Sequence, residues 1–102
     1  MEYRVKAKPI PDKLPDFYKA LTDGSVENQR PDGSEIIASM KRAKVTSPGI
    51  IEWYETCYCS TPLQHERETV YDRYLTNIEA VLTTDTSEIV GEPFWSILET
   101  AE

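Results

Sequence analysis

The chain opens on strict alternation. Tyr3, Val5 and Ala7 fall on one side of residues 2–8, and Arg4, Lys6 and Lys8 on the other. A period of two with one polar face marks a strand half buried against a core. Pro9-Ile10-Pro11 ends it, because proline has no N–H for a ladder and restricts the residue before it. The period then changes. Leu14, Phe17, Tyr18 and Leu21 stand at i, i+3, i+4 and i+7. That stripe predicts a helix over roughly residues 12–23, with Pro15 in its first turn and Gly24 as its cap.

Residues 25–34 are polar and contain Arg30-Pro31-Asp32-Gly33-Ser34. Proline presets φ there and glycine accepts positive φ, so a surface turn is expected. Residues 35–46 fit two periods. As a helix they place Ile36, Met40 and Ala43 on one face behind a Ser34 cap; as a strand they alternate less cleanly. The Ser47-Pro48-Gly49 turn favours the strand, since so short a turn joins antiparallel strands naturally.

Residues 50–60 are strand-forming throughout, rich in Ile, Trp, Tyr, Thr and Cys. Ile51, Trp53, Glu55, Cys57 and Cys59 share one face; Ile50, Glu52, Tyr54, Thr56 and Tyr58 share the other. Neither face is solvent-like, which predicts a central strand. Thr61-Pro62 then opens a helix with Leu63, Val70, Tyr71 and Tyr74 as its apolar stripe. Glu66, Arg67, Glu68, Asp72 and Arg73 are expected mostly on its outer surface. Residues 75–84 return to strand. After a polar loop from Asp85, Phe94, Trp95 and Leu98 anchor a short terminal helix, docked on the sheet or on a neighbouring subunit.

The order strand, helix, strand, strand, helix, strand predicts an α+β fold in one domain, residues 1–102. The arrangement is a ferredoxin-like βαββαβ with a four-stranded antiparallel sheet, helices on one face and a short C-terminal helix over part of residues 85–102. Such a topology hosts many unrelated functions and assigns none.

Composition narrows the picture. A chain of 102 residues with 39% apolar and 28% charged side chains is globular rather than disordered. Its core is small enough that association with a second copy is expected. No apolar run approaches the roughly 18 residues of a membrane span, and the first residues lack a signal-peptide core. A cytoplasmic location with no membrane contact follows as the expectation. The net charge of -7 is uneven: residues 1–50 carry nine Lys/Arg against seven Asp/Glu, residues 51–102 two against eleven. An acidic half argues against nucleic acid, which demands a cationic surface. RNA-binding sheets also carry a basic-glycine-aromatic run that this chain lacks.

Two candidate sites emerge. Arg4 and Lys6 are expected to share the open sheet face with Glu52, Tyr54 and Tyr58. That face would serve a protein partner or a second copy, and the chain would be a small acidic binding or regulatory domain. The alternative is a small enzyme or ligand-binding protein whose site is the corner from Cys59 to His65. Cys57, Cys59, His65 and Glu66 form C-x-C-x5-H-E. Histidine is the side chain whose ordinary charge change lies nearest neutrality, and a Cys59–His65 pair would be a minimal activated nucleophile. Glu55 or Glu66 would act as acid or base, and Arg67 would hold an anion. Zinc sites favour C-x2-C pairs, so neither a metal nor another cofactor is expected. The chain has no glycine-rich phosphate loop, no G-x-S-x-G and no H-E-x-x-H. The plain reading of the corner is two small cysteines packed under a helix. A disulfide between them would be strained at this spacing.

Overall fold

The computed structural model describes residues 1–58, 60–85 and 87–101. Its strands are β1 (Glu2–Pro9), β2 (Lys44–Ser47), β3 (Ile50–Thr56), β4 (Leu75–Leu82) and β5 (Glu92–Pro93). They form one antiparallel sheet in the order β4-β1-β3-β2-β5. The helices are α1 (Leu14–Thr22), α2 (Gly33–Arg42), α3 (residues 64–74) and α4 (Phe94–Ala101). A single 3-10 turn, Pro11–Lys13, leads into α1.

The alternation of β1 and β3 works as their sequences predict. Val5 lies opposite Trp53, and Arg4 opposite Tyr54. Tyr3, Val5, Ala7, Ile51 and Trp53 are buried against Phe17 and Leu21 of α1, Ile36 and Met40 of α2, and Phe94 and Leu98 of α4. Burying each such side chain contributes about 1.5–3 kcal/mol, which is what the short strands live on. Phe17 is the hub of the helical layer, stacked on Tyr74 at 4.5 Å and tilted against Phe94 at 6.3 Å.

The opposite face carries a cross-strand row of alternating charge. Lys44 pairs with Glu52, Glu52 with Lys6, and Lys6 with Glu79. Pairs of opposite sign across strands are each worth a few tenths to about 1 kcal/mol and keep the face hydrated.

Two expectations are corrected. The sheet has five strands, not four: after β4 the chain crosses from one edge of the sheet to the other and adds β5 beside β2. Residues 35–46 are not a strand. They are helical through Arg42, and only Lys44–Ser47 is extended. Ile36 and Met40, one turn apart, are both wholly buried, and Ser39 beside them is buried too. A strand would have turned Ile36 and Ile37 to opposite faces, whereas the helix keeps one apolar stripe on the core. The helix starts after Asp32 rather than Ser34. Gly33 is required there: a Cβ would stand 2.1 Å from the Val26 carbonyl oxygen.

The terminal helix docks on its own chain, with Phe94 and Leu98 buried and Trp95 edge-on to Tyr18 at 5.8 Å.

Candidate functional site

Because β3 alternates, Trp53, Glu55 and Cys57 all point under the helices, and all three are buried. An acid in that series is out of place by polarity alone. Its environment answers part of the cost. Tyr71 donates its hydroxyl to Glu55 Oε1 at 2.6 Å, and Trp53 donates its indole N–H to the same oxygen at 2.7 Å. The second oxygen, Oε2, is buried and has no hydrogen-bond partner among the described residues.

Glu66 supplies the neighbour. It is 1% exposed, and its carboxyl abuts that of Glu55. Cys57 Sγ lies 4.0 Å from Glu66 Oε1. Burial pushes the Glu55 carboxyl from its ordinary 4.5 up to about 8, and the facing Glu66 carboxyl pushes the same way, against the pull of Tyr71 and Trp53. Tyr71 is raised well above its ordinary value by its own burial and then by the charge of Glu55.

The helix that delivers Glu66 and Tyr71 is irregular. Leu63 enters it at φ 57, in the left-handed region, and residues Arg67–Tyr71 form a wide π turn. Such turns shift the register of a helix by one residue and recur at functional sites. Here Glu66, Val70 and Tyr71 all reach the interior.

Outside this pair opens a cleft of about 480 Å³ lined by Asp32, Glu35, Thr56, Cys57, Tyr58 and His65, with Pro31 at its rim. Asp32 occupies the N-cap position of α2, where the helix dipole favours a carboxylate, yet its side chain caps nothing. It reaches across the cleft and hydrogen-bonds His65 Nδ1. Asp32, His65 and Glu66 each offer one ligand atom, and these atoms lie within 4.8 Å of one another. Glu35, one turn along, is held by Arg42 Nη2 at 3.1 Å and accepts from the Thr56 N–H at 3.3 Å.

The residues named from sequence therefore divide. Glu55, Glu66, His65 and Tyr58 gather at or under this cleft. Cys59 lies outside the described residues. Arg67 is elsewhere, on the outer side of α3 against Asp72 at 3.3 Å. Glu66, expected mostly on the helix surface, is interior instead: it stands three residues after Leu63 and four before Val70, on the same buried side of α3.

Arg4, Lys6 and Tyr54 sit on the opposite face, as the alternation requires. Arg4 donates to Glu52 at 3.0 Å and lies over the Tyr54 ring. Burial opposes the ionisation of Glu52, but hydrogen bonds from Thr46 and Arg4 outweigh it and hold the carboxyl below its ordinary value. The Tyr54 hydroxyl is already spent on the Ser87 carbonyl at 2.8 Å, so the chain's own crossing segment lies over this face.

Sequence reasoning missed Asp32, Tyr71, Trp53 and Ser39 as parts of the site. For Asp32 there was a signal: an acid immediately before a helix, inside Pro-Asp-Gly. Comparison with protein-family models, with curated proteins and with solved structures gives no match. Among the described residues no helix is long and apolar enough to cross a membrane.

Proposed function

We propose that this chain is a small ligand-binding protein whose site is the cleft between Asp32 and Tyr58, beside the buried Glu55–Glu66 pair. Its framework is then a ferredoxin-like βαββαβ to which β5 adds an edge. The strand order β4-β1-β3-β2 and the single helical layer support that reading.

One observation carries the functional reading: two carboxyl groups face each other out of water beneath an open cleft. Neighbouring positions on β3, Ile51 and Trp53, are apolar core, and an apolar residue at 55 would continue them. Burying an acid, whether as a charge or held neutral by a raised pKa, costs several kcal/mol near neutral pH, in a domain with only about 5–15 kcal/mol in hand. A marginal fold keeps such groups where they act on something. The protein-contact reading of the open sheet face has less behind it. Tyr54 is engaged by Ser87, and the terminal helix is docked on its own core.

Glu66→Gln tests the reading. It removes one of two facing acids and leaves a neutral amide beside Glu55. A ligand site held at the expense of stability predicts a gain of about 1–2 kcal/mol, a rise in Tm of several degrees by calorimetry. A fall in Tm would make the pair structural and overturn the reading.

A further inference from the structure

We propose that the ligand of the cleft is a divalent transition-metal cation such as Zn²⁺, bound by Asp32, His65 and Glu66. The inference rests on the reading of the cleft as a ligand site and names what enters it.

Three observations converge. The first is the donor set. One imidazole and two carboxylates place their ligand atoms within 4.8 Å of one another, two from the cleft mouth and one from the buried floor. Bonds of about 2.1 Å to a tetrahedral ion put ligand atoms roughly 3.4 Å apart. The set must close by little more than an ångström. Asp32 and His65, partly exposed at the rim, would exchange their mutual hydrogen bond for the ion, while Glu66 is fixed by burial.

The second observation is independent of the three ligands. Glu55 Oε2 is buried, has no hydrogen-bond partner among the described residues, and its carboxyl abuts Glu66. Two abutting buried acids must share a proton or a cation, and a cation at Glu66 takes the place of the proton. Glu55 then stands behind the ligand as the group that holds it, tied down in turn by Tyr71 and Trp53. Ligating side chains are characteristically fixed from behind in this way.

The third is the absence of a competing cation in the cleft lining. Its lining residues include two acids and no lysine or arginine. Arg42, the nearest basic group tied to this wall, is turned to Glu35, Ser39 and the Tyr54 carbonyl.

The chemistry selects the ion. Two carboxylates neutralise a divalent charge, and the imidazole favours zinc and its first-row neighbours over magnesium or calcium, which take oxygen. Three protein ligands leave a fourth position open toward the cleft, where a water or a substrate oxygen can bind.

Calorimetric titration of chelator-stripped protein with ZnCl₂ at about pH 7.5, with MgCl₂ in parallel, tests the assignment. The expected result is one Zn²⁺ per chain, with binding weakened roughly tenfold or more in both His65→Ala and Asp32→Asn. Magnesium is expected to bind far more weakly. No saturable binding up to about 1 mM Zn²⁺, or binding unchanged in both variants, overturns it. Both substitutions lie at the partly exposed rim, so circular dichroism of the variants should match the wild type. If zinc fails to bind while Glu66→Gln still raises Tm, the cation is wrong and the ligand site stands. If Glu66→Gln lowers Tm, the site reading falls with it.

Discussion

Raising the pH from about 5 to about 8.5 should cost the folded protein roughly 3–5 kcal/mol through Glu55. The carboxyl titrates near 4.5 when free and near 8 when folded. Between those values the folded chain holds a proton that the unfolded chain has released. Stability is therefore complete below the lower value and falls until the upper one is passed.

Burial sets this shift, and the groups facing Glu55 adjust it. Glu66, from α3, adds a second acid, while Tyr71 from the same helix and Trp53 from β3 donate to Oε1. Ser39 of α2 hydrogen-bonds Tyr71 from behind. Carboxyls held below their ordinary values, those of Glu52, Asp23 and Asp85, act in the opposite sense. Their contribution is present above about pH 4 and is lost as pH falls, so it lies outside this window. Urea unfolding at a series of pH values reads the effect. Glu55→Gln should flatten the slope, and a wild-type profile already flat from pH 5 to 8.5 would contradict the buried pair.

The other large effect is at Trp53. Its side chain is 1% exposed, set edge-on to Tyr71 at 5.5 Å, and donates to Glu55. Trp53→Ala opens a cavity under the helices and strips a donor from a buried acid. The expected loss is about 3–5 kcal/mol, a large share of what a domain this size has. Trp53→Phe separates the two terms. It keeps one aromatic ring in the core and loses the N–H with the outer part of the indole, so it should cost less than the alanine variant, about 1–3 kcal/mol. Equal losses in the two variants by urea denaturation would mean that the indole hydrogen bond dominates and the packing account is wrong.

How much of this was readable in the chain varies with the physics of each segment. β1 and β3 were legible because alternation has one meaning when one face is buried. A one-residue slip would expose Val5 or Trp53. Residues 35–46 were not, because Ile36-Ile37 satisfies both periods and the short turn at Ser47-Pro48-Gly49 is equally compatible with a four-residue β2. The fifth strand was invisible: Glu92-Pro93 has no strand pattern and is extended only because β2 lies beside it.

The site was half legible. Crowding of chemical types between Ile50 and Tyr74 pointed to the corner beside which the cleft opens, and Glu55, Glu66 and His65 were among the residues named. The partner of His65 was not. Asp32 is 33 positions away and meets His65 only because α2 starts beside the end of β3. Glu66 reads as surface by its charge alone, although its spacing from Leu63 and Val70 puts it on the buried side of the helix.

The central claim is that two carboxyls face each other out of water beneath the cleft, and carboxyl-carbon NMR titration reads it most directly. The account predicts that the Glu55 signal titrates far above the ordinary carboxyl range, near 8, held there chiefly by burial, and moves down in Glu66→Gln, where the facing acid is gone. A Glu55 carboxyl that titrates near its free value of 4.5 in the wild type would contradict it.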